Sequence, residues 1–370
     1  MSDDATFRKN GFTTPEHYAT EQRKRMIPPR GRLLIAACRS GAYLAQKVVK
    51  RYNETLRRSG SRAQVLYLND LDKSFSDTET SVRLGMHISG YDVFLFQALL
   101  DPTSERSIDQ NYMAALIAAR AFREHGANHV TAVLPYLAYA RQDKPTKFER
   151  EPTTAKLMAD LTIEAGVDRL VVWNPHSGQI RGFYGIMPVQ MLEALTTFIN
   201  EFARFRNRRD VIAVAPDEGA AKFVTHFGRA MGLTYAVASK FRPRPEAAEI
   251  KEIMGDFRGK TKAIILDDMI SGGGTMAVLT RKLAEDTPIK EVYIGISHNL
   301  CVKEALGRLQ EMNRKYHLKQ VLVTDSIPQT DEFRRLKFMK GISLDEILAR
   351  TINRIHYNRS VSDIFYRPKE

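Results

Sequence analysis

The chain has 370 residues, 43% hydrophobic and 27% charged, a globular balance with length enough for two domains. Its apolar runs, such as Leu33 to Cys38, fall far short of a membrane span, and polar Met1 to Asn10 do not read as a secretory leader. The net charge of +13 attracts polyanions, but it is spread out, with clusters at Arg23-Lys24-Arg25 and Arg204 to Arg209 and no aromatic-basic platform, so no specific nucleic-acid partner is expected.

Residues 1–31 lack apolar periodicity and carry Pro28-Pro29, which predicts an N-terminal extension. Strands are then predicted at Leu33–Ala37, Val65–Leu68, Val93–Gln97, Val130–Pro135 and Leu170–Trp173. A second series follows at Val211–Ala215, Tyr235–Ala238, Ala263–Leu266, Val292–Ile296 and Val321–Thr324. Helical patterns lie between, among them Met113–Glu124, Thr154–Ala165 and Met276–Ala284. Continuous β-rich runs separated by helices predict mainly parallel sheets covered on both faces. Two series predict two α/β domains, meeting near Phe183–Glu193. Cys38 and Cys301 lie in or near apolar segments and read as buried free thiols, which suits a reducing cytoplasm.

Candidate chemistry sits at the predicted strand ends. After Pro135 runs a long cationic loop with Arg141, Gln142, Lys144, Lys147 and Arg150, which reads either as a lid over a polyphosphate or as a solvated loop. His176 and Asp217 each follow a strand as candidate magnesium or phosphate contacts. Lys240 and Arg242 follow another, and alternation puts both on one side, where they could neutralise a transferring phosphoryl group.

The most informative segment is Ile264 to Thr275. Two carboxylates, Asp267 and Asp268, end an apolar strand, and Ser271-Gly272-Gly273-Gly274-Thr275 turns into a helix. Backbone N–H groups in such a turn, with the helix N-terminus, form a phosphate cradle. The adjacent acids suit ribose hydroxyls or a hydrated magnesium ion. Two lookalikes are rejected. Gly255 to Thr261 is one residue short of a Walker A loop and precedes a strand. His125 and His129 have metal-ligand spacing but straddle a helix-to-strand turn.

Tyr139 to Lys144, Arg150 to Lys156, His176 to Phe183, Lys240 to Pro245 and Asp267 to Thr275, with Arg354-Ile-His356 and Ser360 to Phe365, resemble ribose-phosphate pyrophosphokinase, the phosphoribosyl pyrophosphate synthetase family, from about Arg32 to Phe365. The resemblance implies an α/β fold of two phosphoribosyltransferase-type domains. These are an ATP-binding domain at 32–186 and a ribose 5-phosphate-binding domain at 187–345, followed by a C-terminal helix and tail at 346–370. It implies magnesium-dependent transfer of the pyrophosphoryl group of ATP to C1 of ribose 5-phosphate. Lys240 and Arg242 match the family's catalytic cations. Phe75, Asp77, Glu79, Arg141, Gln142, Lys144, Arg150 and His176 match ATP contacts, the Phe75–Glu79 stretch resembling a hairpin that grips adenine from a neighbouring subunit. Asp217, Asp267, Asp268 and Ser271, Gly272, Gly273, Gly274 and Thr275 match the ribose 5-phosphate site, with His176 and Asp217 near the metal. A cytoplasmic homo-oligomer built from dimers, commonly a hexamer, follows from the same likeness.

Four departures stand out. Asn174 and Ser271 replace family acids, and the cationic loop is one residue longer. His87-Ile88-Ser89-Gly90 stands where common members carry Ser-Val-Arg-Gly, which predicts weak or absent phosphate activation and ADP inhibition. The Ser271–Thr275 turn alone also suits a phosphoribosyltransferase, and the departures suit a non-catalytic regulatory relative. Retention of Lys240 and Arg242 favours the active kinase.

Overall fold

The computed structural model describes residues 29–146, 148–244 and 247–362, with the side chains of residues 240–249 outside the description. The extension up to residue 28, Lys147 and the end of the Ser360–Phe365 stretch therefore lie outside the described residues.

The first half builds a six-stranded sheet. Its strands are β1 (Arg32–Ala37), β2 (Leu66–Leu68), β5 (Tyr91–Phe96), β6 (His129–Val133), β7 (Arg169–Trp173) and β8 (Val189–Leu192). The order is β2-β1-β5-β6-β7-β8, and every pair is parallel. Parallel neighbours need crossovers, which α1 (Ala42–Arg58), α2 (Ile108–Glu124) and α3 (Thr154–Glu164) supply. α2 begins at a capping box in which Ser107 and Gln110 satisfy each other's backbone amides. Between β2 and β5 a two-stranded antiparallel hairpin, β3 (Asp72–Ser74) with β4 (Thr80–Val82), stands off the main sheet.

The second half builds a seven-stranded sheet of order β11-β10-β9-β12-β13-β14-β15. It contains β9 (Val211–Ala215), β10 (Thr234–Arg244), β11 (Ala247–Met254), β12 (Lys262–Ile270), β13 (Glu291–Asn299), β14 (Leu318–Thr324) and β15 (Met339–Ile342). All pairs are parallel except the β10–β11 hairpin. The helices are α4 (Leu195–Glu201), α5 (Glu218–Met231), α6 (Gly274–Asp286), α7 (Lys303–Lys315), a short α8 (Asp331–Arg334) and α9 (Asp345–His356). Among the described residues no helix is long and apolar enough to cross a membrane.

Three apolar cores hold these layers. One lies under α2 and α3, with Leu34, Val93, Phe122 and Leu170. Another lies within the second half, with Ile212, Ile265, Leu279 and Leu309. The third joins the halves, packing Ile35, Phe94 and Trp173 against Phe198, Phe202, Val211 and the Leu348–Ile352 face of α9. α9 returns to the first half, where buried His356 and Arg30 both reach Asp92 on β5. β8, just past the expected boundary at 187, pairs with β7 and completes the first sheet.

Several strands run longer than predicted, and two of these extensions bear on the candidate chemistry. β12 continues through Asp267 and Asp268 to Ile270, because β13 stays in register with it as far as Asn299. The paired carboxylates therefore lie inside the strand rather than after it. β10 continues through Lys240 to Arg244, since β11 folds back on it. Its pairing shifts between Ser239 and Lys240 and again between Phe241 and Arg244. Such irregularities interrupt the pleat, so alternation alone no longer fixes the sides of Lys240 and Arg242.

Candidate active site

The carboxyl ends of β7, β9, β12 and β13 and the segment after β6 converge where the two sheets face each other. Open parallel sheets place their ligands at this end. The chain leaves β7 through Asn174 in a left-handed conformation, with φ 40°. The Asn174 side-chain amide donates to Ser297 Oγ on β13 at 2.7 Å. The Asn174 backbone carbonyl accepts from His298 Nε2 at 3.2 Å. His298 is fully buried, with Ser326 Oγ 2.8 Å from Nδ1, and burial lowers its pKa to about 4. A neutral ring with its proton on Nε2 fits both contacts. Asn174 thus fastens the loop that carries His176 to the second sheet.

His176 Nδ1 lies 2.5 Å from Asp268 Oδ2, so a side chain from each sheet meets in one cleft. The bond to Asp268 raises the His176 pKa, while the charge of Arg141 opposes it. At Asp268 burial favours the neutral acid, but the His176 bond and charge outweigh it and hold the pKa below the usual value. At Asp267 burial and the nearby charges of Asp268 and Asp217 push the pKa well up. Asp217 reaches this acidic group from β9 and caps α5, accepting from the Ala220 amide at 3.2 Å. Three carboxylates within mutual electrostatic reach call for a cation or for hydroxyl donors.

The turn after β12 completes the cleft. Gly273 has φ 75°, a conformation costly for other residues, and stands at the N-cap of α6 without a side-chain cap. Among the described hydrogen bonds the amides of Gly273, Gly274, Thr275 and Met276 have no acceptor, the first bond being Ala277 N–H to the Gly273 carbonyl. An uncapped helix start of this kind offers donors and a positive dipole end to a phosphate. Ser271 and Thr275 are partly exposed beside it.

The other expected residues divide. Arg141 is exposed yet close enough for its charge to act on His176 and Tyr136. The Gln142 backbone ties the loop to α3 through Ala155 N–H, while Lys144 and Arg150 stand exposed. Lys240 and Arg242 lie on β10, two strands from β12, with side chains outside the description. Phe75, Asp77 and Glu79 occupy the tip of the β3–β4 hairpin, closed by Phe75 N–H to the Glu79 carbonyl at 2.8 Å, with Phe75 57% exposed. No described contact links that tip with His176 or Asp268. The rejected lookalikes have structural duties: Lys260 Nζ donates to the Arg209 and Val211 carbonyls, and His125 caps α2 while His129 opens β6. Cys38 is buried and Cys301 half-buried, both free.

Several site residues escaped the sequence reading. His298 stands at a strand end and could have been flagged by position. Arg308 on α7, whose Nη1 donates to the Gly272 carbonyl at 2.5 Å, has no local signal because its partner is 36 residues away. The Arg106–Asp72 pair that anchors the hairpin is likewise a tertiary contact. A concavity of about 620 Å³ between α1 and α9, lined by Tyr52, Asn353 and Arg350, lies away from these groups.

For magnesium the donor set is informative. Among the described residues no three ligating side chains close on one point. Asp217, Asp267 and Asp268 offer hard oxygen donors in mutual repulsion, which fits a hydrated ion that keeps waters and substrate oxygens rather than a protein cage.

Comparison with known proteins points one way. The family model for the N-terminal domain of ribose phosphate pyrophosphokinase matches residues 33–166, and that for a phosphoribosyl synthetase-associated domain matches residues 244–366. The chain is 36% identical over 292 residues to a ribose-phosphate pyrophosphokinase of Caldanaerobacter subterraneus subsp. tengcongensis, covering 79% of this chain and 88% of the relative. It is 37% identical over 295 residues to that of Clostridium acetobutylicum, covering 79% and 87%. The crystal structure of phosphoribosylpyrophosphate synthetase from Mycobacterium smegmatis superposes with a TM-score of 0.74 at 29% identity, over 88% of this chain and 99% of that one.

Proposed function

The chain belongs to the ribose-phosphate pyrophosphokinase family, and from that premise we propose that it transfers the pyrophosphoryl group of magnesium ATP to the C1 hydroxyl of ribose 5-phosphate. The products are 5-phosphoribosyl 1-pyrophosphate and AMP. The new bond joins O1 to the β-phosphorus. The bond that breaks joins the β-phosphorus to the oxygen leaving with AMP, and the O1 proton passes to solvent.

The observation that carries this reading is the meeting of His176 and Asp268 across the two sheets, beside the uncapped start of α6. Ribose 5-phosphate seats its phosphate on the amides of Gly273 to Met276 and its diol on Asp267 and Asp268. Asp268, kept ionised by His176, accepts from a hydroxyl. Ser271 and Thr275 add hydroxyl donors. Bound magnesium supplies charge neutralisation at the phosphates, and the carboxylates of Asp217, Asp267 and Asp268 fit its hydrated form. Arg141, Gln142, Lys144 and Arg150 hold the triphosphate, and Lys240 and Arg242 offset charge developing in the transition state. Phe75 stacks on adenine, with Asp77 and Glu79 hydrogen bonding, from a neighbouring copy in a dimer-based oligomer. Two free thiols support a cytoplasmic setting for this reaction.

The test is direct. Purified protein with magnesium, ATP and ribose 5-phosphate should release AMP in a one-to-one ratio with a pyrophosphorylated sugar. Pyrophosphate release from that sugar with a nucleobase and no ATP requirement would instead mark a phosphoribosyltransferase. No turnover with either substrate set would mark a regulatory relative.

A further inference from the structure

Arg308 on α7 has no role in the chemistry above, yet its guanidinium sits against the phosphate turn. Its Nη1 donates to the Gly272 carbonyl at 2.5 Å. A Cβ built on Gly272 would come a tight 3.1 Å from that nitrogen, and one on Gly274 would meet it in ordinary contact at 3.6 Å, so the guanidinium lies against both glycines. A Cβ on Gly273 would touch the Ala305 backbone of the same helix at 3.5 Å. α7 thus packs on the turn along its length.

The consequence follows from peptide geometry. Across a trans peptide the carbonyl of Gly272 and the N–H of Gly273 point in opposite directions. A turn of three glycines has little intrinsic preference for either orientation of that peptide. Holding the carbonyl towards α7 aims the Gly273 N–H the other way, alongside the acceptorless amides of Gly274, Thr275 and Met276. The turn itself carries no acid to neutralise the guanidinium, so Arg308 also adds positive potential behind the helix start.

We propose that Arg308 is a positioning residue for the sugar phosphate, fixing the Gly272–Gly273 peptide so that four amides are preorganised for the phosphate group. The inference rests on the ribose 5-phosphate reading of this turn. It assigns the affinity for the sugar phosphate, and not that for ATP, to a side chain 36 residues away in sequence.

The test is calorimetric binding of ribose 5-phosphate and, separately, of a non-hydrolysable ATP analogue to the full chain with magnesium. Arg308→Ala should weaken ribose 5-phosphate binding roughly tenfold or more, with the ATP analogue bound as in the native chain. Arg308→Lys, which keeps a donor and a charge, should recover most of the loss. Equal ribose 5-phosphate affinity in Arg308→Ala and the native chain would overturn the inference while leaving the proposed reaction intact. Equal loss of both ligands with a fallen melting temperature in the Ala and Lys variants would overturn it as well, since that is the signature of a merely structural contact. A native chain that binds no ribose 5-phosphate removes the underlying reading, and this inference with it.

Discussion

Around Asp268 the balance of local forces is visible in a single carboxyl group. Burial favours its neutral form, and the imidazole of His176 from the opposite sheet reverses that preference. Among the described residues its neighbour Asp267 has no such imidazole partner, and burial with two nearby carboxylates pushes it the other way. Lys240→Ala should lower turnover about 100-fold or more with the melting temperature unchanged, because one charge contact in a shielded site is worth ~3–4 kcal/mol of barrier. Steady-state AMP formation checks it, and native turnover in the variant refutes the role. His298 gives a prediction in pH. Its folded pKa of about 4 is depressed by burial, below an ordinary value of 6.5. The unfolded chain therefore binds the extra proton between those values, so stability is full above pH 6.5 and falls as the pH drops towards 4. The loss amounts to about 3 kcal/mol. Urea unfolding at pH 7 and pH 4.5 should show the difference, and His298→Gln should flatten it. An unchanged slope in that variant would locate the pH dependence elsewhere.

Among the elements, the β3–β4 hairpin separates anchoring from function. Asp72, fully buried, pairs with Arg106 and accepts from the Arg39 amide at 2.6 Å, whereas Phe75 at the tip is exposed. Arg106→Ala leaves a buried carboxylate without its counter-ion, with only the Arg39 amide still bonded to it, and should cost roughly 3–5 kcal/mol. Phe75→Ala should leave the melting temperature alone and raise the KM for ATP. Thermal melts and ATP titrations of the two variants distinguish these outcomes, and a Phe75→Ala enzyme with native KM would detach the hairpin from nucleotide binding. The sequence made much of this level legible. All ten predicted strands form, because parallel strands buried on both faces read as continuous apolar runs. The hairpin was not among those strands, its three-residue arms being too short for a periodic signal. It surfaced only through the likeness of Phe75 to Glu79 to a known family. β11 and the far half of β10 were missed because Lys240, Arg242 and Pro243 read as polar loop. The carboxylate pair and glycine turn were found because acid, glycine and helix start are adjacent in sequence. Arg308, His298 and Arg106 were not, since their roles come from contacts that folding alone creates.

For the molecule as a whole, the third core decides how the halves behave. Phe202, fully buried, packs with Phe198, Phe205 and Phe227 in the same cluster as Trp173 and Phe94 of the first sheet. Phe202→Ala should cost about 3–5 kcal/mol and lower one cooperative transition rather than split it in two. Scanning calorimetry tells these apart, and two separated peaks would show that the halves unfold independently. That shared core also sets the carboxyl ends of the two sheets against each other, an arrangement the proposed reaction requires if a sugar phosphate on one is to reach a triphosphate on the other. The fate of the β-phosphorus tests this most directly. With ATP labelled at that atom and ribose 5-phosphate present, the account predicts label in the sugar product and unlabelled AMP. Label remaining in ADP, or appearing as free pyrophosphate whether or not the sugar is supplied, would contradict it.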